Sequence, residues 1–466
     1  MHAARRTLLS SSLGTLTGMV AFTAPLSTVN PTVAGLDAGV AGRTWILSSM
    51  SIGLGAFLLT AGRVADDYGR RRTFVTGALV LAFGSVLAAA ATDVVVFVLA
   101  RVVQGLGTAA LTAASLGMLA TAFPDPRRRA HATGVWGASL GAGIAVGPLL
   151  SSGLTLWHSW RDVYVVLVAA GVGLALTARG CDESRAGADA RLDLPGVTLL
   201  ALGMSSLLAG LTEGREGWGR PLVSELLVAG VMLLAGFVVV ERRSDHPMLD
   251  LGLLRRPAFA AVTVAAVANG AGVIALLSYL SGFLGSAFGR SAWSAAWLML
   301  VWSVPSIGTA LAARRLPEHW TGRGRMSAAL VLMATGLALL TGLTTGSGPG
   351  RFVPGLLVAG VGSGLLNASL GRESVASVPP GQAGLGSGAN NTARYLGSAL
   401  GVTVVSLVAA PSGVPTPGSL VAGWNQAALV TAAVTLVGAL VVARVGERAA
   451  VPEPAEIGSH QTVNAA

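Results

Sequence analysis

The chain has no lysine and one cysteine, and ionisable residues of any kind are scarce: 11% of 466 positions are charged, against 53% apolar. So few charges cannot solvate a soluble particle of this size, so the surface must face lipid. The apolar content also excludes a disordered chain. With Cys181 alone, no internal disulfide or cysteine-based metal site can form; it sits beside Asp182 and Glu183 and reads as an inert loop thiol. His2, His131, His158, His246, His319 and His460 are scattered, with no paired metal-ligand spacing. No nucleotide-binding P-loop is present either, so no metal, cofactor or ATP hydrolysis is expected. A formal net charge of +10 could suggest nucleic acid, but the arginines recur in short groups between apolar runs rather than on one face.

What is abundant is glycine, at 63 residues, together with long apolar runs. Small residues let helix backbones approach closely in a bilayer, and about 20 apolar residues make one crossing. Fourteen runs qualify, at about 8–33, 44–62, 73–91, 94–122, 132–156, 162–178, 194–212, 222–240, 258–284, 293–313, 326–345, 352–371, 388–410 and 424–443. Arg5 and Arg6 before the first run imitate a secretory signal, but the run continues past Val29 and more follow, so an uncleaved first helix is expected. With the N-terminus inside, inner segments hold 23 arginines and outer loops 6, while Arg101 and Arg394 lie within runs. That asymmetry predicts both termini on the cytoplasmic side. The longest polar connections, near 179–193 and 241–257, bracket the seventh and eighth runs as a pair between two six-helix blocks. The tail from Arg444 is rich in Pro, Glu and Ala and reads as disordered.

Several motifs carry the functional reading. After the second run comes GRVADDYGRRR, Gly62 to Arg72. Glycine permits a tight turn at each end, an acid can cap or pair, and arginines belong at the inner face. An ordinary inner loop explains the arginines, but not the spacing of Gly62, Asp66, Gly69, Arg70 and Arg71. That spacing resembles the signature loop of the major facilitator superfamily, and the resemblance implies a cytoplasmic gate latch made by Asp66 and Arg70. Asp67 departs from the pattern, standing where the family often has a base.

The fourth run reads ARVVQGLGTAA, with Arg101 and Gln104 inside it. A guanidinium at the centre of a span costs about 2.5 to 3.5 kcal/mol on insertion scales, which makes it a functional candidate, with snorkelling to the outer interface as the alternative. The pattern resembles the family's second motif, whose arginine is tied to proton movement. In the fifth run, WGASLGAGIAVGPLLSSG, glycines four apart present a bare helix face and Pro148 removes a backbone bond. A packing face would suffice for this, but Gly143, Gly147 and Pro148 resemble the antiporter motif of the exporting branch. Residues Arg191 to Trp218 look like the hairpin entry of fourteen-helix drug:proton antiporters, and GLGSGANNTARYLGSALG, Gly384 to Gly401, resembles their penultimate helix.

One departure matters. The branch usually carries an aspartate about nine residues ahead of a Leu-Pro pair, and alignment on Pro31 puts Phe22 at that place. No other carboxylate lies deep in a run; Asp37 and Glu225, at run ends, are the remaining proton-coupling candidates beside Arg101 and Gln104, with solvated helix ends as the plainer account. Asn30, Asn269, Asn390, Asn391 and Arg394 are the substrate-cavity candidates.

The expected molecule is an all-α polytopic membrane protein of the major facilitator fold. Its divisions are a six-helix bundle over 1–180, an inserted two-helix hairpin over 181–250, a second six-helix bundle over 251–446 and a tail over 447–466. The expected function is secondary export of small amphipathic or lipophilic compounds, neutral rather than strongly cationic, by a proton-coupled monomer in the cell membrane. A uniporter or importer stays open, supported by the missing acid. An enzyme has no nucleophile, metal cluster or carboxylate pair within a run to support it.

Overall fold

The computed structural model describes residues 2–186, 193–244, 247–316, 320–409 and 416–445; the expected tail over 447–466 and the start of the hairpin entry at Arg191 lie outside them. Helices account for nearly all of the described chain: α1 His2–Thr23, α2 Pro25–Gly35, α3 Val40–Tyr68, α4 Arg70–Ala90, α5 Val94–Ala122, α6 Pro126–Trp157, α7 Asp162–Ala178 and α8 Leu194–Glu213. They continue as α9 Pro221–Arg243, α10 Pro257–Asn269, α11 Ala275–Phe288, α12 Ala292–Ala312, α13 Gly322–Leu339, α14 Val353–Ala376, α15 Ala383–Ala409 and α16 Pro417–Arg444. Helical segments lie at all fourteen expected positions. Eleven are long and apolar enough to cross a membrane, and α1 with α2, bent by 47°, make a twelfth. Helices α7 and α13 are shorter, at 17 and 18 residues.

Local sequence sets the boundaries. Pro126, Pro221, Pro257 and Pro417 open α6, α9, α10 and α16, where a missing N–H costs nothing. Asp93, Asp125 and Asp193 cap α5, α6 and α8 by accepting backbone N–H bonds. Between α10 and α11 the chain passes without a break through a π turn, Gly270–Ile274.

Two separate apolar cores organise the packing. One gathers residues between Val20 and Cys181, joined among the described residues of the later chain by Tyr395. The other runs from Ala261 to Val442. The seam between them is closed by α3 along α15 and by α6 against α12 and α14. A third cluster joins the α8–α9 pair to α3 and α15. Helix α9 lies at the periphery, with most of its side chains uncovered by the rest of the protein.

Two sequence expectations change here. The segment Gly62 to Arg72 is not a loop: α3 reaches Tyr68 and α4 starts at Arg70, so only Gly69 turns, at φ +122°, a conformation side-chained residues rarely adopt. Cys181, in the segment after α7, is a loop thiol whose burial the sequence did not indicate, its Sγ 3.7 Å from Ser10 Oγ.

Candidate transport site

At the Gly69 end, the carboxylate of Asp66 is sequestered across the seam. Arg70 donates to its Oδ1 from Nε at 2.9 Å and from Nη2 at 2.7 Å. The first backbone N–H groups of α15 donate as well, Gly384 to Oδ1 at 3.0 Å and Leu385 to Oδ2 at 2.8 Å. A carboxylate on exposed helix-start N–H groups gains both hydrogen bonds and the favourable end of the helix dipole. Arg70 Nη2 also donates to the Gly381 carbonyl at 2.6 Å, so acid and base both grip the later half of the chain. Gly62 is needed for close approach, not for a turn. A Cβ there would collide with the Gly384 carbonyl, and one at Gly384 would meet Gly62 O and the Asp66 carboxylate.

The segment after α7 buttresses this cluster. Ser184 O accepts from Arg70 N at 2.9 Å and Asp66 O accepts from Ala186 N at 2.7 Å. Arg71 donates its backbone N–H to Glu183 at 3.0 Å and its guanidinium to the Cys181 carbonyl at 3.2 Å. Asp67 pairs with Arg63 at 2.7 Å on the same helix, away from the seam contact.

Further along, Arg101 is fully buried without a carboxylate. It donates from Nη1 to Ala21 O at 2.7 Å and to Gln104 Oε1 at 2.8 Å, and from Nη2 to Phe22 O at 3.4 Å. Gln104 in turn donates to Ser85 Oγ at 2.7 Å. The reason for these partners lies in α1. Pro25 has no N–H to return to Ala21 four residues earlier, so that carbonyl is orphaned at the bend and Arg101 takes it. Ser151 on α6 treats the same break, donating to Ala24 O at 2.9 Å. Gly143 and Gly147 let α1 lie against α6 at this point, since a Cβ on either would strike Met19 or Thr23. Pro148 contributes a carbonyl that accepts from Ser27 Oγ at 2.9 Å. Arg101 is therefore a fixed part of the bend and does not snorkel.

At the opposite end the seam is open. A cavity of about 780 Å³, lined by Asn30, Arg43, Leu47, Ser278, Arg290 and Leu420 among others, descends between α2, α3, α11 and α16. That volume suits a drug-sized ligand. It shares Leu26 and Ser278 with a narrower pocket of about 60 Å³ in the middle of the protein, where Asn269, Trp302, Asn367 and Arg394 meet Met19 and Phe22. Tyr395 forms part of its wall, edge-to-face on Phe22 at 5.5 Å between ring centres. Among the described residues, no aspartate or glutamate lines either space.

The predicted residues divide accordingly. Asn269 and Arg394 reach the narrow pocket and Asn30 the wide one, where it accepts from Arg43 at 2.7 Å. Asn390 and Asn391 are buried but line neither space. They sit about one turn nearer the Gly69 end, where Gly388 brings α15 onto Leu58 and leaves no room. Asp37 is exposed in the turn after α2 and Glu225 is exposed on peripheral α9, so neither reaches the pathway. Sequence reasoning missed Glu213, which is buried and accepts from Trp45 Nε1 at 2.6 Å while pairing with Arg220. It also missed Glu241, buried at the far end of α9. Both stand just past the apolar runs, and only the longer helices bring them inside.

A seam between two helical cores, sealed at one end and hollow at the other, is the architecture of a membrane transporter. The chain belongs to the Major Facilitator Superfamily, whose sequence model matches residues 7–402. It is 35% identical over 377 residues to the puromycin resistance protein pur8 of Streptomyces alboniger, covering 78% of this chain and 74% of that one. Identity is 30% to the multidrug resistance protein Stp of Mycobacterium tuberculosis, covering 84% and 71%, and 31% to the cephamycin export protein CmcT of Amycolatopsis lactamdurans, covering 82% and 80%. Two solved structures share the fold. The human organic anion transporter MFSD10 (TETRAN) superposes with a TM-score of 0.66 at 17% identity, covering 94% of this chain and 99% of that one. The proton:xylose symporter XylE gives 0.67 at 14%, covering 94% and 95%.

Proposed function

We propose that the protein is a secondary exporter of small amphipathic or lipophilic compounds, drug- or antibiotic-like, working by alternating access between bundles 1–180 and 251–446 around an inserted hairpin, 181–250. The observation that carries this reading is the pairing of the Asp66–Arg70 cluster, closed across the seam, with the cavity of about 780 Å³ open at the far end. That is one of the two states an alternating-access cycle requires. The resistance and export proteins among the relatives support the substrate class. Helical segments at all fourteen expected positions support fourteen crossings, and the 23 inner against 6 outer arginines support both termini in the cytoplasm of a cell membrane. In that orientation the cavity opens outward. Gly62, Asp66, Gly69, Arg70 and Arg71 form the inner latch, and Gly143, Gly147 and Pro148 provide the surface on which α1 and α6 move together. The chain works as a monomer, exchanging substrate for protons.

One observation favours a second reading without proton exchange: Phe22 occupies the midplane wall, and no carboxylate among the described residues lines the two cavities. The test is expression in a pump-deficient host with a broad panel of toxic compounds. Lowered accumulation that a proton ionophore collapses supports the exporter; lowered accumulation unaffected by the ionophore supports the second reading; unchanged accumulation across the panel refutes export.

A further inference from the structure

Arg394 sits about midway along α15 and is 5% exposed, yet its Nε and Nη2 have no hydrogen-bond partner among the described residues. Its guanidinium carbon lies 5.2 Å from the centre of the Tyr395 ring. A buried guanidinium with unfilled donors is costly unless a partner arrives. The narrow pocket supplies the place for one. Asn269 and Asn367 also line it, with amides that form no hydrogen bond among the described residues. The rest of the wall is mostly apolar or aromatic, including Met19, Met299 and Trp302, and its hydroxyls, Thr23, Ser278 and Ser363, donate to carbonyls of their own helices. Three polar side chains with N–H donors thus converge on a space with no acid in its wall. The way out is lined by two more arginines, Arg43 and Arg290, and again by no carboxylate.

We propose that the transported compound is an amphipathic organic anion, whose carboxylate or equivalent oxyanion is received by Arg394 with Asn269 and Asn367 while its aromatic or aliphatic body lies against Trp302 and Met299. This rests on the exporter reading above and narrows it. The planar guanidinium suits two-oxygen acceptors, and the low-dielectric pocket strengthens the pair. A cationic compound would meet Arg394, Arg43 and Arg290 in turn with no counter-charge on the wall, so the same residues reject cations.

The experiment uses the full chain, purified for binding and reconstituted in liposomes for transport. Probes are aromatic carboxylates, each paired with its own methyl ester, plus fluorescein and rhodamine 123 as dyes of opposite charge. The carboxylates and fluorescein should bind roughly tenfold or more tightly than their partners, and Arg394→Gln should erase that preference while ester binding stays within about threefold. Arg394→Lys should keep part of it, and Asn367→Leu should weaken carboxylates alone, so the inference does not hang on one variant's folding; unchanged ester binding certifies each fold. A preference for esters or for rhodamine 123, or a carboxylate preference that survives Arg394→Gln, overturns the proposal. Displacement of fluorescein by chloride or inorganic phosphate at equal affinity overturns it too, since the site is then a bare anion site. Carboxylate binding that depends on Arg394 without transport of any probe refutes the exporter reading instead and leaves the anion site standing.

Discussion

The two ends of the seam treat charge in opposite ways. At the Gly69 end, the inner one in the proposed orientation, the Asp66 carboxylate is bound by a guanidinium and two backbone N–H groups, and glycine lies against glycine with no space left. From the middle outward, Arg394, Arg43 and Arg290 line the cavities with no acid beside them. The acid at the seam is therefore used to hold the halves together, and the pathway is left cationic. The proposed latch role draws on both features: the carboxylate is fully paired, and its partners lie on both sides of the seam.

The largest expected effect comes from breaking the paired end. Asp66→Asn keeps the shape but loses the charge that binds Arg70 and the start of α15. Export in the pump-deficient host should fall to background. Opening can be read directly at Ser387, which is fully buried and donates to Thr112 O at 3.4 Å just beyond the latch. In a Cys181→Ser background, Ser387→Cys should react with a permeant maleimide roughly tenfold faster when Asp66→Asn is added, equivalent to a shift of about 1.4 kcal/mol toward the inner-open state. An unchanged labelling rate would remove Asp66 from the gate.

Next in size is Arg101→Ala, which sharpens the contrast between a cation that is structural and one that is available. The Ala21 and Phe22 carbonyls would lose their donor inside the protein, at about 1–3 kcal/mol for each group left unpaired. A lower apparent melting temperature in detergent is expected together with reduced export. Arg101→Lys, which can still donate to Ala21 O, should recover part of both. Arg394→Gln, by contrast, should leave the melting temperature the same or higher, because it removes a buried charge whose Nε and Nη2 have no hydrogen-bond partner among the described residues.

A smaller change should follow at the glycine contact. Gly62→Ala places a methyl against the Gly384 carbonyl and should push α3 from α15 without removing any charge. Partial loss of export, with faster Ser387→Cys labelling than the parent but slower than with Asp66→Asn, is the expected pattern. Equal effects would mean that close packing, not the ion pair, holds the inner end.

These comparisons also separate what was legible in the sequence from what was not. Run length and arginine placement located the helices, because crossing a bilayer demands both. The pattern from Gly62 to Arg71 pointed to the latch through its resemblance to a family signature, but the break at Gly69, which puts Asp66 and Arg70 on two helices, was not legible. The α1 bend was not legible: Pro25 was visible, but the donor that makes its orphan carbonyl tolerable lies 80 residues on. Helix rotation and depth were equally hidden, so Asn390 and Asn391 were grouped with Arg394 although the cavity ends above them. Glu213 escaped notice because its partner Trp45 is 168 residues away.

The smallest effect is expected at the acids that sequence position alone made interesting. If proton coupling needed a carboxylate near the outer end, Asp37 and Glu225 would be the candidates, but both are exposed and neither lines the cavities. Asp37 also sits at φ 49°, a conformation that asparagine adopts as readily as aspartate, so Asp37→Asn removes charge without strain. Export by Asp37→Asn, Glu225→Gln and the double variant should stay within about twofold of the parent, as surface substitutions away from a site usually change little. The measurement is initial efflux rate at two imposed pH gradients. A double variant that exports at the parent rate without a gradient but no longer responds to one would place the coupling acid on this surface, and the cationic pathway would then need an acid outside it to work.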